Sequence, residues 1–300
     1  MFVEYLVNGI LFGSTYSLVA IGFTLIFGVI HRLNVAHGVT IMVAAHAGAA
    51  ISLLLGGDSF GVLGLAFLVS VATGAALGSA VERIAFRPLR GSSSLAPFVT
   101  TSGITIILEE IFLQMSRRVP IFDPEFTAFP SPLENWAFYV GDVFVRGVYL
   151  VTFCVSLVLM AALHHWVSHT RSGRALRVVE ENRDMAALMG IDVHRTEVTA
   201  FIVASALAGA AGCLIGISAG TIDPFMGTHL LIVSFVVIVL GGLGSIHGAM
   251  VAGILVGVIE AMSAAYVSQT FGEVSLFLAL FTTLILRPAG LFGWHVAARD

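Results

Sequence analysis

Three carboxylates and two imidazoles stand where membrane chemistry would need them. Glu109 and Glu110 lie in the apolar run 95–116, and Glu260 lies well inside another, in GVIEAMSAAY. An ionisable group within a bilayer is costly and is functional by default. The chemistry would be ion coupling in a stand-alone secondary transporter, with Glu260 or Glu110 as the coupling acid. Structural pairing or exposure to a cavity is the preferred reading of these acids, and Glu109 and Glu110 approach the end of their run, where solvation is easier. His37 and His247 each precede a glycine near an expected helix start. Metal ligation needs further ligands at suitable spacing; none stand there, so capping or helix–helix hydrogen bonding is the better reading. Cys154 and Cys213 sit singly in apolar runs without a CxxC spacing. They read as small packing residues rather than as a disulfide or metal site.

All fourteen basic residues are arginine. Without lysine there is no P-loop phosphate contact and no Schiff-base nucleophile, so the chain cannot hydrolyse ATP by a Walker mechanism. No nucleophile elbow and no acid pair in a cleft is recognisable, so no catalytic residue is assigned. The net charge of −4 gives no electrostatic footprint for nucleic acid.

A solute path would then use weakly polar groups. The candidates are Ser14, Thr15 and Ser17; Asn34 and His37; Thr100, Thr101, Ser102 and Thr105; and Ser245 and His247. Ser and Thr hydroxyls in apolar helices often bond back to their own backbone, which is the competing role for each.

The elements that must carry these residues are membrane spans. The chain is 58% hydrophobic, with 32 glycines, and runs of about 20 apolar residues, enough to cross a hydrocarbon core, recur along it. Spans are expected near 5–30, 37–56, 60–82, 95–116, 148–167, 197–219, 227–243, 247–267 and 272–287. VIVLGGLGSIHGAMVAG (Val237 to Gly253) has a glycine-rich break that either divides two full spans or joins two half-helices. The fold class is therefore all-α: a single polytopic transmembrane domain over 1–300 with eight to nine spans, some broken or re-entrant. The first apolar stretch, beginning behind Glu4, is too long for a cleavable signal.

Arginine distribution sets the orientation. The turn 83–94 carries Arg83, Arg87 and Arg90; the loop 168–196 carries Arg171, Arg174, Arg177, Arg183 and Arg195. An even number of spans separates them, so both lie on one side, the cytoplasmic side by the positive-inside rule. The loop 117–147, with Pro120, Pro124, Pro130, Pro132, Glu134, Asp142 and the aromatic residues Trp136, Phe138 and Tyr139, falls outside. Glycines at four-residue spacing, among them Gly9/Gly13, Gly74/Gly78 and Gly253/Gly257, allow close helix approach. A weak internal repeat matches Ala36–Ala45 to Ile246–Leu255, followed by FRPLRG and LRPAGLFG respectively.

One segment does not belong to the apolar pattern. GRALRVVEENRDMAALMGI (Gly173 to Ile191) has six charged residues among nineteen. Taken as one helix, it places Ala175, Val179, Asn182, Ala186 and Met189 on one face. Arg177–Glu181 and Glu180–Arg183 then form pairs on another. Ala186, Ala187 and Gly190 leave a nearly smooth surface between Leu188 and Ile191, suited to a groove on a partner protein.

The whole chain resembles the LivH-type permease subunit of ABC importers for branched-chain amino acids. The resemblance rests on GSTYSLVAIGFTLIFGVIHRLNVAHG (Gly13 to Gly38), ERIAFRPLRG (Glu82 to Gly91), AALMGID (Ala186 to Asp192), FIVASALAGAAG (Phe201 to Gly212), LGGLGSIHGAMVAG (Leu240 to Gly253) and RPAGLFG (Arg287 to Gly293). It implies an ATPase-coupling loop containing Arg174, Arg177, Glu181, Ala186, Ala187, Leu188, Gly190 and Ile191. Met185 stands where the general importer motif has glutamate. It further implies a LivM-like second permease subunit, two ABC ATPase subunits that use the ATP and Mg, an extracytoplasmic solute-binding protein, and a place in the bacterial inner membrane. No cofactor is expected in this chain. The implied substrates are leucine, isoleucine and valine, with urea, short amides or other amino or aromatic acids as the alternative.

Overall fold

The computed structural model describes residues 2–292 except 58, 94, 120, 124, 134–135 and 141–142. Pro120, Pro124, Glu134, Asp142 and Gly293 lie outside the described residues. Eleven helices make up the body: α1 (Phe2–Ile30), α2 (Ala36–Leu55), α3 (Phe60–Val81), α4 (Leu95–Arg118), α5 (Gly147–His169), α6 (Arg171–Glu181), α7 (Arg183–Leu188), α8 (Val193–Ala219), α9 (Met226–Gly241), α10 (Ile246–Tyr266) and α11 (Gln269–Leu286). A five-residue π-helical turn, Glu82–Phe86, extends α3. Among the described residues eight helices are long and apolar enough to cross a membrane, and α9 is a shorter apolar helix.

Burial sorts the helices into shells. The apolar windows of α1 and α8 are each 83% buried, against 17% for α3 and 22% for α4 and α11. The first two are therefore the central pillars, and the others turn most of their surface outward. Cys154 also faces outward while Cys213 is buried, so only the second cysteine fills the interior as expected.

The pillars make their closest contacts through small residues. A Cβ added to Gly9 would stand 2.9 Å from Val258 Cα, and one on Gly13 2.9 Å from Ile254 Cα. Backbones can approach so closely only where side chains are absent. The Gly9/Gly13 and Gly253/Gly257 spacings thus mesh as the α1–α10 seam. Gly74 and Gly78 do the same for α3 against Ser205 and Gly209 of α8.

Two helices begin inside the bundle. The His37 ring reaches the Val19 carbonyl at 3.3 Å and lies over Gly22. Those residues are about 12–16 Å back along α1 from Ile30 at 1.5 Å per residue. Residues 31–35 therefore re-enter the bundle before α2 starts. Likewise the chain turns back after α8, and Gly227 packs on Gly38, where a Cβ would fall 2.7 Å from the Gly38 carbonyl oxygen. From this meeting point α2 and α9 run in opposite directions. At the far end of α9 the amides of Leu291 and Phe292 bond to the Leu240 and Gly241 carbonyls.

The packing has the pattern of an inverted repeat. α1 packs on α10 and α9, as α8 packs on α3 and α2; α4 lies on α2, as α11 lies on α9. Helices α1–α4 thus correspond to α8–α11. This corrects the repeat read from the sequence, which matched α2 to α10 rather than to α9. The shared His-Gly arises because both α2 and α10 start at a close backbone approach, Gly38 on Gly227 and Gly248 on Gly241. The Gly-rich break in Val237–Gly253 separates α9 from α10, with Gly242 and Gly244 at φ 103° and 84°.

The long loop is partly strand, which its prolines did not announce. β1 (Thr127–Ala128) pairs antiparallel with β4 (Thr221–Ile222), and β2 (Ala137–Val140) pairs with β3 (Val143–Arg146). Phe129 is plugged beneath, 2% exposed. Trp136 lies against Phe138 and remains half-exposed.

Candidate coupling site and translocation path

The charged segment folds as two helices, not one. Thr170 caps α6 by accepting from the Gly173 amide, and Asn182, extended at φ −158°, ends α6 and caps α7 by accepting from Met185 N. Asn competes well for such a cap, which is why the helix breaks there. Gly190 at φ 80° stops the following turn, and Asp192 caps α8.

This break redistributes the expected roles. Ala186 is fully buried and packs α7 onto the body of the chain. Met185, Leu188 and Met189 are 55%, 82% and 71% exposed, forming an apolar patch on the segment richest in charge. Ala187, Gly190 and Glu181 are exposed beside it, and Ile191 is partly buried. Arg174 and Arg177 donate to the His169 and Ser168 carbonyls at 3.2 and 3.3 Å, satisfying the C-terminal end of α5. The expected pairs Arg177–Glu181 and Glu180–Arg183 are replaced by these bonds and by Arg183–Glu197. Glu180 instead lies over Gly28 of α1, 2.5 Å from where a Cβ would be, and near Gly244. Its burial there raises its pKa.

A group of charges absent from the sequence expectations joins this segment to the bundle. Glu82, at the π turn, and Glu197, on α8, have side chains 1% and 4% exposed. Arg90 donates to both, at 3.1 and 2.7 Å, and Arg183 of α7 pairs with the other Glu197 oxygen. The only signal in the sequence was an acid just inside each apolar run, at a bundle end rich in arginine.

Most of the weakly polar path candidates bond to backbone carbonyls. Ser14 and Thr15 bond to the Leu11 and Phe12 carbonyls, and Ser17 ties α1 to α10 through Met250 O at 2.7 Å. Thr100, Thr101, Ser102 and Thr105 all bond back to carbonyls of α4. Thr101 also accepts from Val35 N at 3.3 Å, holding the re-entrant segment. Asn34 and His37 are buried beside it. Ser245 caps α10, and His247 stacks edge-on against His164 at 5.0 Å.

The acids lie in the second half of α4 and in α10. Counting back from Arg118, Glu110 and Glu109 are about 12 and 13 Å inside α4. Glu109 accepts from Thr228, in the first turn of α9, at 2.6 Å. Glu110 is exposed and bonded by Gln114 at 2.7 Å. Glu260 is partly buried on α10, and its Oε2 has no hydrogen-bond partner. Among the described residues no group of three or more His, Cys, Asp or Glu side chains could hold a metal ion.

A family model described as "Branched-chain amino acid transport system / permease component" matches residues 5–286. The chain belongs to that family. The permease is 36% identical to the high-affinity branched-chain amino acid transport system permease protein BraD of Pseudomonas aeruginosa, covering 97% of this chain and 96% of that one. It is 34% identical, with the same coverage of each chain, to LivH of Escherichia coli (strain K12), a permease protein of the same kind of system. Among solved structures, PsaBC from Streptococcus pneumoniae in complex with Fab matches with TM-score 0.50 at 15% identity, over 95% of this chain and 93% of that one. At that identity it speaks for the fold alone. The permease is thus a multi-pass membrane protein, and the arginine-rich end and its opposite are the two faces of the bilayer.

Proposed function

We propose that this permease is the membrane subunit of an ATP-driven, binding-protein-dependent importer of leucine, isoleucine and valine in the bacterial inner membrane. Its partners are a second permease subunit, two ABC ATPases that use ATP and Mg, and a solute-binding protein outside. The observation that carries the coupling role is the exposed Met185–Leu188–Met189 patch on α7. Apolar surface at a charged, water-facing end marks a docking site, and a chain without lysine has no Walker motor of its own. The substrate assignment rests on BraD and LivH.

The path runs along the face of α4 and the start of α9. Exposed Glu110 and Gln114 would be expensive against lipid about 12 and 6 Å from the Arg118 end of the span. They therefore belong against water or the second permease. Carboxylates there suit the ammonium group of an amino acid.

Gentle purification of the tagged permease from its own host, with mass spectrometry of what accompanies it, tests the assembly. Recovery of a P-loop ATPase and a second permease is expected. Recovery of this chain alone, still taking up leucine in ATP-free vesicles under an ion gradient, would replace the importer with a carrier.

A further inference from the structure

The Arg183–Glu197–Arg90–Glu82 group joins four separate elements through their side chains. Glu82 stands on the π turn that ends α3, Glu197 on the first turns of α8, Arg90 in the connection to α4, and Arg183 on α7. π turns recur at functional sites because they re-aim side chains; here the turn directs Glu82 into the interior, 1% exposed. Two carboxylates withdrawn from water must be paired, and unpairing either one is heavily penalised. Arg90 alone bridges them through its Nη2, which also stands 2.6 Å from His194 Nδ1. The second arginine, Arg183, comes from the coupling segment. Charge balance at the ends of α3 and α8 is therefore complete only with α7 seated. Arg32 holds the same connection from the far side through the Leu89 and Ser92 carbonyls at 3.1 and 2.9 Å. A cavity of about 140 Å³ lies among Arg32, Phe86, Gly91 and the ion pairs, and Glu82 Oε2 lacks a hydrogen-bond partner.

We propose that this four-residue ion network is the handle by which displacement of α7 is delivered to α3 and α8, with Arg183–Glu197 staying closed while the segment moves. α8 is a central pillar and α3 its partner across the Gly74–Gly209 seam. A pull on Glu197 therefore moves α8 and, through Arg90 and Glu82, the end of α3 with it. Arg183 and Glu197 are positioning residues for transport, not contacts of the solute. The proposal rests on the importer reading, because the displacement is supplied by docked ATPases.

The test uses the intact importer in proteoliposomes, reading solute transported per ATP hydrolysed. Retention of the ATPase through purification is followed as a separate measurement. Arg183→Gln leaves the Leu188 patch intact and leaves Glu197 paired with Arg90. It is expected to keep the ATPase bound and hydrolysing, with transport per ATP at least tenfold lower. Arg183→Lys should recover most of the ratio. The exchange Arg183→Glu with Glu197→Arg should recover part of it, where Glu197→Arg alone does not. A wild-type ratio in Arg183→Gln would overturn this inference alone. Loss of bound ATPase in proportion to lost transport would also overturn it, making Arg183 a docking contact. Absence of any ATPase from the wild-type preparation would overturn the importer reading and this inference with it.

Discussion

Gly190 offers the sharpest perturbation of the docking surface. Its φ is +80°, and a Cβ placed there meets nothing within 4 Å among the described residues. Left-handed backbone costs an L residue about 1–2 kcal/mol, a modest fraction of the roughly 5–15 kcal/mol that holds a typical protein folded. Gly190→Phe should therefore fold and insert. Its ring would project beside Leu188 and Met189, where only a partner can meet it. Forcing extra volume into a filled contact costs about 1–3 kcal/mol, equivalent to about 5- to 150-fold in affinity. Gly190→Asn is the control, because asparagine tolerates the left-handed region and is small. The assay is ATPase retained on the purified permease across a dilution series, alongside uptake and the thermal midpoint in detergent. The expectation is weakened ATPase retention for Phe, near-normal retention for Asn, and similar midpoints for both. Undiminished ATPase binding and uptake in Gly190→Phe would refute the reasoning, as would equal losses in both variants.

The remaining expectations concern other parts of the molecule. Leu188→Asp, at the most exposed point of the patch, should lower ATPase retention by roughly tenfold or more, since burying a leucine is worth about 1.5–3 kcal/mol; unchanged retention would move the docking surface elsewhere. Gly13→Leu should lower the thermal midpoint, because its Cβ would press on Ile254 Cα at 2.9 Å and overpacking costs about 1–3 kcal/mol. Glu110→Leu should reduce uptake with the assembly intact; full uptake would mean that this face of α4 meets lipid. Glu180 favours its protonated form because burial raises its pKa. The stabilisation is thus fully present below the unfolded-state value and lost as pH rises through the raised one. Hydrogen exchange of 173–181 should accordingly slow as pH falls through that window, after correction for intrinsic rates, and Glu180→Gln should remove the dependence.

Much of the fold was legible because membrane spans obey one rule, apolar length. The seam glycines were legible too, since Gly9/Gly13 and Gly253/Gly257 can serve little else at that spacing. The re-entrant starts of α2 and α9 were not, because a short polar dip such as residues 31–35 reads the same whether it ends at the membrane surface or turns inward. The break at Asn182 was missed for a local reason: an asparagine within a helical pattern is also a good cap, and only the packing of Ala186 decides between them. The polar path candidates followed hydroxyl content, yet most of those hydroxyls bond to their own helix. The ion network escaped because its four members come from positions 82, 90, 183 and 197, which only the fold brings together.

The central claim is that a motorless bundle is driven from the α7 patch, and reconstituted uptake tests it most directly. Proteoliposomes holding the copurified assembly would be given binding protein and labelled leucine outside, with ATP and Mg inside. The account predicts accumulation that requires hydrolysable ATP, survives collapse of ion gradients, and disappears in Leu188→Asp. Accumulation without ATP, driven by an ion gradient and unaffected by Leu188→Asp, would contradict it.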